Sequence, residues 1–338
     1  MLNMKRREFI TLLGGAAAAW PLATRAQQPT MPVIGFLNTR SPEDSAYMVA
    51  AWREGLAAQG YSEGQNIRVE YRWARGYYDQ LSSLAADLVS RRVDVFAAAG
   101  GEPSALAARA ATSSIPIVFI IGGDPVKLGL ATSLNRPGGN STGVSLLTSD
   151  LEAKRLGLLR ELMPSANVVA VLINPNFPQS EKQITEVGEA AHTIGQRIRI
   201  LKARNVEELE TALAALVSER VNALLVVADP FFDTQRARIF AVVAQHRVPA
   251  IYQFREYVIA GGLMSYGISL PDAYRQAGIN VGRILKGERA ADLPIVQSVK
   301  FEFVINLKTA KALGRRGDRM TLGLIGSILG WADRKGDQ

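Results

Sequence analysis

Short apolar segments alternate with amphipathic segments through most of this chain, and the alternation occurs in two separate series. The apolar segments are rich in β-branched residues, whereas the segments between them carry apolar residues at helical spacing. In the first series we predict strands at Val33–Leu37, Ile67–Trp73, Val93–Ala98 and Ile115–Ile121. Strands of this kind, covered by helices on both faces, are typical of parallel βαβ units.

The second series follows a segment rich in turn residues, Asn135–Gly143, which we predict to be a loop. Its predicted strands are Val168–Ile173, Ile198–Leu201, Ala223–Val227 and Ala250–Tyr252, again with helices between them. Two such series predict an α/β protein with two Rossmann-like lobes. Each lobe would be a parallel sheet flanked by helices, with a ligand cleft between the lobes.

The chain has 338 residues, which is long enough for two domains of ordinary size. We divide it into an export signal (1–26), lobe one (31–145), lobe two (146–265), a crossing helix and strand that complete the lobes (266–313) and a divergent tail (314–338). In a protein with a cleft the chain usually crosses between the lobes more than once. We expect crossings near residues 144–147, 264–268 and 301–305.

The first 26 residues have the pattern of a twin-arginine export signal. Arg6 and Arg7 precede the apolar run 11–19, and Thr24-Arg25-Ala26 places small residues at the usual cleavage positions. A membrane anchor is the alternative, but the apolar stretch ends at Trp20-Pro21, short of the about 20 residues that a span needs. We therefore expect cleavage near Ala26 and a periplasmic location.

Composition argues against several classes of function. The net charge of +8 lies partly in the first 26 residues and in the tail, and no concentrated basic patch indicates binding to nucleic acid. The sequence contains no Cys and only two His, which excludes thiolate metal sites and disfavours His-based triads. Nucleotide-binding, phosphate-loop, serine-hydrolase and zinc-protease motifs are all absent from the sequence. We expect no enzyme activity, no cofactor and no metal.

Ligands of open parallel sheets bind outside the carboxyl ends of the strands, and this rule nominates the loops that follow the predicted strands. Gly101 precedes a helix whose free N–H groups could bind an anion, and Asp229 could accept a hydrogen bond from a ligand ammonium group. Asp229 could alternatively serve only as an N-cap. The candidate ligand-binding residues are Asn38, Thr39, Ser41, Gly101, Ser104, Gly123, Asp124, Asn174, Asp229, Phe231 and Phe254.

Several long motifs resemble one known family. They cover residues 111–119, 123–126, 135–143, 228–232, 260–267 and 300–310, for example Asn135-Arg136-Pro137-Gly138-Gly139-Asn140-Ser141-Thr142-Gly143. Over about residues 31–313 the chain resembles the substrate-binding proteins of bacterial ABC transporters, of the tryptophan-binding, TrpX-like type. The resemblance implies the periplasmic binding protein fold, small ligands such as aromatic amino acids in some members, and delivery to a membrane permease driven by a separate ATPase.

Two features depart from the pattern of that family. After Gly314 the chain continues into an apolar tail over residues 320–331, where the family usually has a Pro-containing segment and an acidic helical end. Glu102 stands in a turn where a carboxylate ligand would prefer a neutral residue, because two carboxylates repel each other. This second departure weakens the expectation that the ligand is an amino acid.

The expected partners are a small-molecule ligand, with amino acids and aromatic compounds as candidates, and an ABC permease in the membrane. We expect a monomer that binds no nucleic acid. Two alternatives remain open from the residues alone. A periplasmic sensor that signals to a membrane partner shares the fold and the cleft, and a nucleotide-linked α/β enzyme shares the sheets.

Overall fold

A computed structural model describes residues 31–148, 151–298 and 300–313. The predicted export signal (1–26) and the predicted divergent tail (314–338) lie outside the described residues. None of the helices within the described ranges is long and apolar enough to cross a membrane.

Strands and helices alternate along the chain, as the sequence predicts. The strands are β1 (Val33–Asn38), β2 (Arg68–Trp73), β3 (Val95–Ala98), β4 (Ile117–Ile121), β5 (Ser141–Ser145), β6 (Val168–Ile173), β7 (Arg197–Lys202), β8 (Ala223–Val226), β9 (Ala250–Tyr252), β10 (Met264–Ile268), β11 (Val296–Gln297) and β12 (Phe301–Ile305). The helices are α1 (Pro42–Ala57), α2 (Leu81–Ser90), α3 (Glu102–Ala111), α4 (Glu152–Leu162), α5 (Ser180–Thr193), α6 (Val206–Ser218), α7 (Pro230–Thr234), α8 (Arg236–Gln245), α9 (Arg255–Ile259), α10 (Leu270–Leu285) and α11 (Leu307–Ala312).

The strands form two six-stranded sheets. The first has the order β11-β5-β4-β3-β1-β2, and all of its pairs are parallel. The second has the order β12-β10-β9-β8-β6-β7, and it is parallel except for the antiparallel pair of β10 with β12. The central strands are buried along all or nearly all of their length because helices cover both faces of each sheet. The predicted fold class is confirmed: this is the periplasmic binding protein fold.

Three connections join the two sheets in the described part of the chain. The first leaves β5 for α4, the second leaves β10 for α10, and the third leaves β11 for β12. Helix α10 follows a strand of the second sheet but packs along α1 and against β3, β4 and β5 of the first. The carboxyl ends of the two sheets therefore face each other across a cleft that these connections border.

The prediction that residues 135–143 are a loop is wrong at its end, because β5 already begins at Ser141. The segment was predicted to be a loop because it is rich in residues that are typical of turns. A Cβ atom at Gly143 would lie 2.1 Å from the carbonyl oxygen of Phe119 on the neighbouring strand β4. Gly143 thus permits close contact between two strands and does not mark a turn.

Candidate functional site

A cavity lies between the two lobes at the carboxyl ends of the strands. The volume open to the centre of a water-sized sphere is about 30 Å³, and the space between the surrounding atoms, which includes open solvent, is about 390 Å³. Its walls come from both lobes and are mostly apolar with a few polar groups, as is usual for small-molecule sites. The lining residues are Arg40, Gly101, Glu102, Ile120, Ile121, Gly122, Leu146, Thr148, Phe177, Ala228, Asp229, Pro230, Asp233, Phe254, Leu270 and Tyr274.

One wall of the cavity is a buried ion pair between the lobes. Arg40, which follows β1, donates through Nε and Nη2 to Asp233 Oδ2 of helix α7 at 3.0 and 2.6 Å. The other carboxylate oxygen of Asp233 accepts from Gln253 Nε2 at 2.7 Å and from Tyr257 Oη at 3.0 Å. Burial alone lowers the pKa of Arg40, but the charge of Asp233 raises it above its ordinary value. The guanidinium therefore stays charged and is neutralised locally by its partner.

Asp229 is a second acidic group of the cavity, and it also caps helix α7. Its Oδ1 accepts from Phe231 N at 2.7 Å and from Tyr78 Oη of the first lobe at 2.9 Å. Burial raises the pKa of Asp229 to about 7; the hydrogen bonds from Tyr78 and Phe231 N–H oppose this shift, and the charge of Asp233 adds to it. Near neutral pH the carboxyl group is thus poised between its two protonation states.

Glu102, the first residue of α3, makes the third polar contact between the lobes. It is 1 % exposed, and its Oε1 accepts from Gly122 N at 3.1 Å and from Gln179 Nε2 of the second lobe at 2.9 Å. Burial raises the pKa of Glu102, while backbone N–H groups and the Gln179 amide act in the opposite direction. The carboxyl group is held by hydrogen-bond donors and has no cationic partner among the described residues.

Close approach of the lobes requires a glycine beside Glu102. A Cβ atom at Gly123 would lie 1.7 Å from Gln179 Nε2, so any larger residue must displace this amide. The glycine that follows β4 therefore lets the second lobe reach the first.

Six of the predicted site residues lie at the cavity or beside it. Three of them, Gly101, Asp229 and Phe254, line it directly. Behind the lining, Asn38 donates through Nδ2 to Tyr274 Oη at 3.4 Å and accepts at Oδ1 from Arg40 N. The other two are Gly123, which faces Gln179, and Asn174, whose amide interacts with Asp229.

The other five predicted residues do not line the cavity, and most of their polar groups serve local structure. Thr39 donates to Gly100 O, and Ser41 caps α1 by accepting from Asp44 N at 3.1 Å. Asp124 accepts from Val126 N at 2.8 Å in the turn after β4. The remaining two, Ser104 and Phe231, are buried.

Sequence reasoning missed several lining residues that the two lobes bring together. Asp233 lies one helical turn after Asp229, and Tyr274 comes from a helix that reads as ordinary amphipathic sequence. Arg40 stood in a nominated loop, but its role depends on a partner 193 positions away. Within the part of the chain that the structure describes, no group of three or more acidic, His or Cys side chains could hold a metal ion.

Comparison with known proteins gives a consistent picture. A family model described as "ABC transporter substrate binding protein" matches residues 43–316. A tyrosine-binding protein from Clostridioides difficile is 30% identical over 261 residues, which cover 77% of this chain and 74% of that protein.

Solved structures share the two-lobed fold. One is described as an ABC domain in complex with L-Trp from Streptococcus pneumonia; it has a TM-score of 0.77 and 24% identity and covers 86% of this chain and 97% of that one. Another is the ligand-free, open structure of a substrate binding protein with adhesive properties from Clostridium difficile. Its TM-score is 0.59 at 25% identity, and the match covers 85% of this chain and 96% of that one.

Proposed function

Because this chain belongs to the family of ABC transporter substrate-binding proteins, we propose that it captures a small solute in the interlobe cleft and delivers it to a membrane permease. One observation carries the proposal for the cleft. Three polar contacts join the lobes around one cavity: Arg40 with Asp233, Tyr78 with Asp229, and Gln179 with Glu102.

These contacts explain how a ligand would change the shape of the protein. All three form only when the lobes are close, and each takes polar groups out of water, so their own net contribution is small. A ligand shifts the balance toward closure only if it binds the closed form better than the open one. A solute that touches both walls of the cavity satisfies this condition.

The lining indicates the shape and chemistry of the solute. Phe177, Phe254 and Ile121 offer apolar surface, and Asp229 offers a carboxyl group that is not engaged in an ion pair within the described residues. The curated relative is named for tyrosine and the solved ABC domain holds L-Trp, and both compounds carry an amino group on an apolar body. We propose that an amino group of the solute binds at Asp229 while its apolar part packs between the lobes.

The start of the chain supports a proposal for the place of action. Arg6 and Arg7, the short apolar run and the small residues before position 27 support export by the twin-arginine route and cleavage near Ala26. In the periplasm the protein would meet its solute before the permease, and we propose that it acts there as a monomer.

A thermal-shift screen tests this function. The chain without residues 1–26 is heated with a panel of amino acids, amines, organic acids, sugars and nucleotides. Binding to the folded state alone raises Tm, and we expect the largest rise for a compound that combines an amino group with an apolar body. Stabilisation only by nucleotides or sugars would count against the proposal. Asp229→Ala serves as the matched control, since it should reduce the shift for the true ligand.

A further inference from the structure

The cavity is lined by more acidic than basic side chains. Three carboxyl groups and one guanidinium line it: Glu102, Asp229, Asp233 and Arg40. The guanidinium of Arg40 and the carboxylate of Asp233 form an ion pair and cancel each other. Two acidic side chains, Glu102 and Asp229, are therefore left without a cation among the described lining residues. A buried charge without a partner is unfavourable, so the cavity favours a ligand that supplies positive charge.

The same geometry disfavours a ligand carboxylate. The natural place for such a group is the turn after β4 together with the start of α3, where backbone N–H groups converge at the amino end of a helix. In this protein the Glu102 carboxyl group already occupies that place. It accepts from Gly122 N at 3.1 Å and from Gln179 Nε2 at 2.9 Å, and the N–H groups of Gly123 and of Glu102 itself also interact with it.

Arg40, the one cation among the described lining residues, is not free to compensate. Arg40 directs both Nε and Nη2 to one oxygen of Asp233, and each of these side chains is no more than 6% exposed. A ligand carboxylate would have to draw Arg40 away from Asp233 and would leave that acid buried and unpaired. Such a cost is several times larger than the gain from a typical hydrogen bond.

Asp229 differs from Arg40, because its carboxyl group can still accept a hydrogen bond from a ligand. Its Oδ1 is occupied by Phe231 N and Tyr78 Oη. Its Oδ2 makes no hydrogen bond of ordinary geometry within the described residues, although the Asn174 amide lies close enough to affect the carboxyl group. An ammonium group is a suitable partner for this oxygen.

We propose that Glu102 takes the place of a ligand carboxylate, so that the solute of this protein is an amine with an apolar body and no free carboxylate. The inference rests on the proposed function, because it specifies the substrate class of the same cleft. It makes Glu102 a specificity-determining residue and Asp229 the residue that binds the ammonium group.

Calorimetry with matched pairs of compounds tests the proposal. Tyramine is compared with tyrosine, tryptamine with tryptophan, phenethylamine with phenylalanine, and isobutylamine with valine. At least one amine should bind, and it should bind at least about tenfold more tightly than its amino acid, because like charges in a buried site repel strongly. Equal or tighter binding of the amino acid overturns the inference but leaves the solute-binding function intact. Failure of every amine to bind also overturns it, whereas failure of the whole screening panel counts against the function itself.

Variants of Glu102 show whether this residue is the cause. Glu102→Ser frees the backbone donors and should shift the preference toward the amino acid of the pair by about tenfold or more. If that variant does not fold, Glu102→Gln keeps the size and removes the charge, and the preference for the amine should shrink with it. Glu181→Gln is the control, since Glu181 is an exposed glutamate in the first turn of α5 and does not line the cavity. An unchanged preference in folded Glu102→Gln overturns the assignment.

Discussion

Arg40 and Asp233 lie 193 positions apart in the chain and on opposite lobes, yet their side chains meet at 2.6 Å in a buried ion pair. The contact forms part of the cavity wall and exists only while the lobes are close. In the closure that we propose, these two charges are therefore buried as the cleft closes. The ion pair links the shape of the protein to the chemistry of its site.

Removing the positive charge of Arg40 should favour the open form of the cleft over the closed form. In Arg40→Met the carboxylate of Asp233 would be buried on closure without a cation, and breaking a buried pair in this way costs about 3–5 kcal/mol. We expect ligand affinity to fall by two orders of magnitude or more, about 1.4 kcal/mol for each factor of ten. Calorimetry measures the affinity, and Tm should change less, because neither Arg40 nor Asp233 belongs to the apolar core.

Arg238→Met is the matched control for this change. Its ion pair with Glu210 lies within the second lobe, and the two side chains are about half exposed. Exposed pairs contribute about 0–1 kcal/mol, so affinity should remain near that of the wild type. Equal losses in the two variants would show that the Arg40 ion pair has no special part in closure.

A single methyl group at Gly123 should impair closure. The new Cβ atom would lie 1.7 Å from Gln179 Nε2 and would push this amide off Glu102. We expect about a tenfold weaker affinity for the ligand, consistent with the loss of a hydrogen bond to a charged group. Gly157→Ala, where nothing lies within 4 Å of the added atom, should bind normally. Wild-type affinity in Gly123→Ala would argue against tight contact at this point.

Much of the fold could be predicted because its signals are local. Val168–Ile173 and Ala250–Tyr252 are strands with the predicted bounds, since each is a short β-rich apolar run between helical segments. The bounds of β5 could not be predicted, because Gly143 reflects contact with Phe119 on another strand.

The cavity was only partly predictable for a similar reason. The rule that ligands bind at strand ends nominated Gly101 and Asp229, and both line the cavity. Arg40 stood in a nominated loop but was not among the predicted site residues, and Asp233 was not nominated at all, because the ion pair between them depends on the relative position of two lobes. No local pattern of the sequence encodes that position.

Ligand binding should strengthen as the pH rises from 6 to 8. The pKa of Asp229 is raised to about 7 by burial, so the group carries a proton over the lower part of this range and loses it over the upper part. An ammonium ligand needs the carboxylate and stays protonated throughout. Calorimetry at several pH values measures the effect, and a flat or falling affinity would contradict it.

The same measurement on two variants separates binding from helix capping. Asp229→Asn keeps a good N-cap but removes the charge, so it should weaken binding by about 1.5–3 kcal/mol and lose most of the pH dependence. Asp229→Ala removes both functions and should also lower Tm. Unchanged affinity together with a lower Tm would make Asp229 a structural residue only.

Export should depend on the paired arginines. A reporter fused to residues 1–30 should reach the periplasm, and the double change Arg6→Lys plus Arg7→Lys should stop it, because the twin-arginine signal is read by a receptor. Changing Lys5→Arg alone should leave export intact. Continued export of the double variant would show that another route is used.

The most direct test of the closing cleft is small-angle X-ray scattering on the chain without residues 1–26. The radius of gyration is measured without ligand and with a saturating concentration of the compound that raises Tm most in the screen. We expect a smaller radius with ligand, because a solute that touches both lobes favours the closed form, in which Arg40 meets Asp233. A radius of gyration that stays the same at saturation would contradict it.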